Sequence, residues 1–265
     1  MLDVKNMNFW LFDMDGTLYL GDILFDFTIP LLEYLKAAGK KYLFMTNNSS
    51  KSVADYVKKL ARLGIPAVED DFITSAQATA YYLEKHHKND YIYVEGTNSL
   101  KDALKRHHFN ITDQYSEDVT CVVSGFDTEL TFQKLEDLSK LLLNQDIAYI
   151  ATNPDLVCPT EYGYVPDCGS VSEMIYNATG RRPKFIGKPS PLMPQLAMEK
   201  WGYRKEETIV VGDRIYTDIK SGINAGINTA LVLSGETTKQ VLDESPDKPT
   251  AVYKDCGEIL QLLKT

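Results

Sequence analysis

Short apolar runs, each ending on a polar residue and alternating with helix-patterned segments, constrain this chain more than any other feature. "FWLF" (9–12) runs into Asp13, "KYLFM" (41–45) into Thr46, "KFIG" (184–187) into Lys188, and "TIVVG" (208–212) into Asp213. "TIPLLEYLKAAGK" has apolar residues at Ile29, Leu32 and Leu35 and a stop at Gly39. "KSVADYVKKLARLGI" stops at Gly64, and "SPLMPQLAMEKWG" opens on Ser190–Pro191 and stops at Gly202. These read as helices, as does "TSAQATAYYLEKHH". Continuously apolar strands between such helices predict an α/β fold, a Rossmann-like doubly wound parallel sheet covered on both faces. Ligands of such sheets sit beyond the carboxyl ends of the strands, at a reversal of strand order. Four polar strand ends therefore predict one site.

The middle of the chain repeats the alternation on its own, through "YIYVEG", "SLKDALKRHHF", "TCVVSG", "LTFQKLEDLSKLLLNQ" and "AYIATN". This predicts a second α/β domain inserted into the first, a cap over 82–183 between core segments 1–81 and 184–265. With 265 residues there is ample length for both.

A formal charge of −9 argues against nucleic acid or an anionic membrane surface as partner, since phosphate-rich partners need a basic face. No apolar stretch approaches the ~18 residues of a membrane span, and nothing at the start resembles a signal peptide. Cys121, Cys158, Cys168 and Cys256 are scattered without a CxxC, which predicts reduced thiols and a cytoplasmic location. His86–His87 and His107–His108 lie in Lys-rich helical segments and read as solvated faces.

Asp13 and Asp15, joined by Asp213 and Asp218 from far along the chain, make a hard all-oxygen cluster suited to Mg²⁺. Lys188, Thr46, Asn47 and Asn48 add a cation and hydrogen-bond donors for the outer oxygens of a phosphoryl group. The helix that follows "TNN" offers anion-binding amides, with Ser49, Ser50 or Ser52 as its cap. A carboxylate kept ionised by Mg²⁺ and Lys188 can attack phosphorus, and Asp13 suits that role. Asp15 suits the acid that protonates the departing alkoxide and then activates water. A carboxylate bound directly to Mg²⁺ is a poor acid, so Asp15 should meet the ion through its backbone carbonyl. Gly16 lets the chain turn closely, and "YLGDI" (19–23) predicts a small hairpin flap turning at Gly21–Asp22.

These residues resemble the haloacid dehalogenase superfamily of phosphohydrolases: "DMDGT" its first motif, Thr46 in "MTNNS" the second, Lys188 in "IGKP" the third, and "GDRIYTD" the fourth. "TNNSSKS", "ATNPD", "IGKPSP" and "GDRIYTDIKSGINAG" resemble its NagD-like, p-nitrophenyl phosphatase branch more closely. The resemblance implies Asp13 as nucleophile, Asp15 as general acid/base, and Mg²⁺ on Asp13, the Asp15 carbonyl and Asp213. It implies Asp218 behind those ligands, and Thr46, Asn47 and Lys188 on the phosphate. It also implies a cap that selects the substrate through a rim at 152–170, and a homodimer through that cap. The expected activity is Mg²⁺-dependent hydrolysis of small phosphorylated metabolites through an aspartyl-phosphate. The competing readings are a phosphotransferase and a phosphoacceptor signalling module using the same aspartate. In a receiver module the phosphorylated aspartate ends a later strand than the metal-binding acids, whereas Asp13 follows the first.

Overall fold

A computed structural model describes residues 2–160 and 162–265 of the chain. The fold divides into two compact units, one made of residues up to Thr46, Ala54–Ile73 and Lys188–Thr265, the other of Asn47–Val53 and Thr74–Gly187.

The first unit starts with β1 (Phe9–Phe12), whose four side chains are all fully buried, as expected of a strand covered on both faces. A small antiparallel hairpin follows, β2 (Tyr19–Leu20) and β3 (Ile23–Leu24), turning at Gly21 with φ 59°. The anticipated hairpin is therefore present. Helix Thr28–Ala37 leads to β4 (Lys41–Thr46), and helix Val53–Arg62 to β5 (Phe72–Thr74). Gly39 and Gly64, the stops read from the sequence, sit just past these helices with φ 69° and 83°, a region that suits a residue without Cβ.

The second unit carries its own five-stranded sheet: β6 (Tyr91–Glu95), β7 (Asn110–Thr112), β8 (Cys121–Ser124), β9 (Ala148–Ala151) and, after a separate antiparallel hairpin of β10 (Val157–Thr160) and β11 (Gly163–Pro166), β12 (Lys184–Phe185). Its order is β12-β9-β8-β6-β7, and every pairing is parallel. Two sequence expectations need correcting here. "KFIG" is not a core strand: Lys184 and Phe185 pair with Ile150 and Ala151, so Lys188 lies in the stretch that follows a strand of the second unit. Helix Ser75–His86 is not divided near residue 81 but lies whole in the second unit, packed on helix Asn98–Arg106. A capping box between Thr74 and Gln77 fixes its start. Glu161, part of the expected rim, lies outside the described residues.

The chain returns to the first unit through helix Leu192–Trp201, β13 (Thr208–Gly212), β14 (Asn228–Val232) and β15 (Ala251–Tyr253). The resulting six-stranded sheet has the order β15-β14-β13-β1-β4-β5. β1 pairs in parallel with β4 on one side and β13 on the other, so the winding reverses at β1. That reversal is where an open α/β sheet forms its binding crevice. Among the described residues, no helix is long and apolar enough to cross a membrane.

Candidate active site

The residues that follow β1 and β13 meet at the reversal. Asp13 comes one residue after β1, with its amide donating to Val211 O at 2.8 Å, and Asp213 comes one residue after β13. One carboxylate oxygen from each of Asp13, Asp213 and Asp218 lies within 4.8 Å of the others. Lys188, itself buried, points its ammonium into this group: Nζ is 2.6 Å from Asp13 Oδ1, 2.6 Å from Asp218 Oδ1 and 3.3 Å from Met45 O. The backbone of β4 thus helps to hold the lysine one residue before Thr46, which is buried at the end of that strand.

Asp218 arrives by an unusual local structure. β13 is followed by a π-helical turn, Ile215–Ile219, before the helix Lys220–Ala225 begins. Such widened turns recur at functional sites. Here Asp218 Oδ2 accepts the Arg214 amide at 3.0 Å while Oδ1 accepts from Lys188. Both oxygens are committed, so Asp218 holds the lysine and the loop.

Asp213 is held from three sides. Thr17 Oγ1 donates to its Oδ1 at 3.2 Å, the Glu236 amide donates to its Oδ2 at 2.7 Å, and the Thr237 amide donates to its carbonyl at 3.2 Å. Gly16 and Gly235 make room for it. A Cβ on Gly16 would stand 2.4 Å from Asp213 Oδ2, and one on Gly235 only 2.0 Å away.

Asp15 points elsewhere. Its carboxylate does not join the cluster; Oδ1 accepts the Gly21 amide of the hairpin turn at 3.4 Å, and Oδ2 lies 3.9 Å from Lys59 Nζ. Its side chain is 44% exposed, against 15% for Asp13 and 0% for Asp218. Two residues apart, the aspartates therefore occupy different environments. Asn47 and Asn48 belong to the second unit, where Asn47 Nδ2 donates to Asp155 Oδ2 at 2.6 Å and Asn48 Oδ1 accepts from the Ser50 amide and hydroxyl.

The charges of the cluster decide what it can hold. Burial, then the neighbouring Asp218, pushes the Asp13 carboxyl up to about 6, although Lys188 opposes this. Burial, Asp13 and Asp218 push Asp213 up to about 7. Burial alone would lower the Lys188 ammonium, but Asp13 and Asp218 carry it above the usual lysine range. Arg214 is likewise raised by Asp13, Asp218 and Glu236 against its own burial, and its Nε meets Glu236 Oε2 at 2.9 Å. Three carboxylates facing two cations, one of them shared with Glu236, leave an excess of negative charge on a wholly oxygen donor set. Such a set fits a hard divalent cation, which in turn favours the ionised form of its carboxylate ligands.

Sequence reasoning did not single out Arg214, Thr17, Glu236 or Thr237. The first two were visible in "GDRIYTD" and "DMDGT", but nothing in residue spacing shows which atoms a π turn or a loop amide will meet.

The chain is similar to known phosphatases. Residues 10–110 match the model of haloacid dehalogenase-like hydrolases, and residues 185–259 a second model described as HAD-hydrolase-like. The chain is 35% identical over 261 residues to an acid sugar phosphatase of Staphylococcus haemolyticus, covering 98% of each. Its fold superposes on a 4-nitrophenylphosphatase of Thermotoga maritima with a TM-score of 0.93 at 40% identity, covering 99% of this chain and 100% of that one. A NagD-type structure matches at 0.90 and 39% identity, covering 100% of each chain. A glycerol phosphate phosphatase of Mycobacterium tuberculosis, in complex with magnesium, matches at 0.90 and 27% identity, over 98% of this chain and 78% of that one. The chain belongs to the haloacid dehalogenase-like hydrolases and is a phosphatase of their NagD-like, nitrophenylphosphatase branch.

Proposed function

We propose that the protein hydrolyses phosphomonoesters of small metabolites through an aspartyl-phosphate on Asp13, with Mg²⁺ as cofactor. Sugar phosphates are the first substrate class to try, because the relatives at 35% identity carry that activity in their names. The observation that carries the reading is the different placement of the two aspartates. Asp13 lies buried against Lys188 in the carboxylate cluster, whereas Asp15 faces away from it, at the flap.

In the first step an Asp13 carboxylate oxygen bonds to phosphorus as the ester oxygen leaves. Asp15 donates its proton to that departing alkoxide. In the second step Asp15, now a carboxylate, takes a proton from water, which bonds to phosphorus and releases inorganic phosphate and free Asp13. Lys188 and the Thr46 hydroxyl hold the phosphoryl oxygens, with Asn47 and Asn48 as further donors. Asp13, Asp213 and the Asp15 carbonyl would hold Mg²⁺, which supplies neutralisation of the phosphoryl charge. Asp218 stays behind them, keeping Lys188 in place.

The inserted unit is the proposed cap, acting as a lid that sheds bulk water and selects substrate through residues 152–170. A homodimer through that unit and a cytoplasmic location complete the proposal.

Hydrolysis of p-nitrophenyl phosphate tests the reading. Turnover should require Mg²⁺, stop on chelation, and fall by at least about 10⁴-fold in Asp13→Asn, since a nucleophile cannot be replaced by positioning alone. Turnover that survives both chelation and Asp13→Asn would overturn it.

A further inference from the structure

The second unit brings together three side chains that the phosphatase chemistry does not use. His87 ends the helix Ser75–His86 as its C-terminal cap, Asp90 lies in the turn to β6, and Cys121 opens β8 beside Ile92. One ligand atom from each lies within 4.8 Å of the other two. We propose that His87, Asp90 and Cys121 bind a zinc-class divalent cation.

Three observations carry this. The donor set is mixed, an imidazole nitrogen, a carboxylate oxygen and a sulfur, which suits Zn²⁺ and related borderline-soft ions and does not suit Mg²⁺. The donors are also oriented from behind. Thr120 Oγ1 donates to Asp90 Oδ1 at 2.9 Å and itself accepts the Tyr91 amide at 3.2 Å. That leaves Asp90 Oδ2 facing the His87 ring, 2.7 Å from Nδ1. The backbone is fixed too, since the His87 amide donates to Leu83 O at 2.7 Å and the Asp90 amide to His87 O at 3.2 Å. Outer hydrogen bonds of this kind set the direction and basicity of metal ligands. Finally, the cluster borders solvent: Cys121 is wholly buried, but the His87 and Asp90 side chains remain 18% and 29% exposed.

A clasp closing the end of a helix needs only the imidazole and the carboxylate. The thiol adds a donor for which such a clasp has no use. Without an ion, burial and the Asp90 charge hold Cys121 as a thiol, pushed up to about 12. Binding then exchanges the sulfur–hydrogen bond for a sulfur–metal bond and releases one proton to solvent. The fourth tetrahedral position is left to water. The ion would tie the end of one helix to the turn before β6 and to the first residue of β8.

Co²⁺ is the probe, titrated into full-length protein held in saturating Mg²⁺ so that the all-oxygen cluster is already occupied. One equivalent should produce a near-ultraviolet thiolate-to-cobalt band with visible d–d absorption, displaced by Zn²⁺. The band should vanish in Cys121→Ser and persist in Cys158→Ser and Asp213→Asn. Because Cys121 lies in the core, the decisive companion is His87→Gln, whose partly exposed ring can be replaced without opening the core. That variant should weaken Co²⁺ binding by at least about tenfold. No thiolate band in the unaltered protein, a band that survives Cys121→Ser, or one indifferent to His87→Gln would each overturn the proposal.

Discussion

Lys188 stands between Asp13 and Asp218 at 2.6 Å from each, and all three side chains are largely withdrawn from water. Replacing it by methionine leaves two buried carboxylates facing each other without their cation. Uncompensated charges of this kind cost about 3–5 kcal/mol, so Lys188→Met should lower the thermal midpoint and also cut turnover by at least about 10²-fold. Differential scanning calorimetry and steady-state rates on one preparation check both. Gly235 gives a sharper case, because a Cβ there would stand 2.0 Å from Asp213 Oδ2. Gly235→Ala should displace Asp213, raising the Mg²⁺ concentration needed for half-maximal rate while the fold survives; an unchanged Mg²⁺ dependence would contradict the placement. At this scale the sequence was informative wherever chemistry demands one residue type. Asp13 and Asp213 could be picked out because few other roles put those charges at strand ends; Lys188 was picked out on the same ground, although the strand before it belongs to the other sheet. Thr17 and Arg214 could not, because a threonine or arginine in a loop fits many roles until its partner is known.

Elements show the limits of pattern reading more clearly. β1 and β13 were legible because continuous apolar runs need cover on both faces, and the β2–β3 flap because Gly21–Asp22 admits a tight turn. β12 was misread as a core strand: two residues carry no periodicity, and only their pairing with β9 assigns them to the other sheet. The π-helical turn that aims Asp218 was also invisible, since its side chains keep an ordinary helical pattern. Glu95 at the end of β6 is another buried acid that the pattern did not reveal. Burial, then Asp127, pushes it up to about 8, with Lys134 opposing. The other titratable groups it influences, Tyr93, Tyr149 and Cys168, are themselves raised by burial and stay neutral across this range. In the folded chain Glu95 thus keeps its proton between about 4.5 and 8, where the unfolded chain releases it. More protons bound to the native state means stability falls as pH rises through that window and levels off above it. Glu95→Gln should abolish that part of the slope, matching the unaltered protein near pH 4.5 and exceeding it by a few kcal/mol near pH 8. Urea melts across that range decide; parallel curves for the two proteins would show that Glu95 ionises normally.

For the molecule as a whole, the instructive fact is discontinuity. Asp13, Thr46, Lys188 and Asp213 are spread over 201 positions, yet all belong to one unit whose sheet is closed by strands from both ends of the chain. For Asp13, Thr46 and Asp213 that convergence was foreseeable because parallel sheets place strand ends at one edge, whereas Lys188 arrives without ending a strand of that sheet. The division between units was harder to place, since helix 75–86 has the same amphipathic pattern whichever unit it serves. If the inserted unit selects substrate, replacing residues 75–186 by a short linker should leave p-nitrophenyl phosphate turnover measurable while flattening the ranking of larger phosphomonoesters. A folded truncation with the original ranking would assign selection to the core. The central claim, that Asp13 is the group phosphorylated during turnover, has a direct chemical test. Enzyme quenched in acid during steady-state hydrolysis and reduced with borohydride converts a phosphorylated aspartate to homoserine, which peptide mass spectrometry can locate. Homoserine at position 13 alone is the expected result; homoserine at position 213, or none at all under conditions of full turnover, would contradict it.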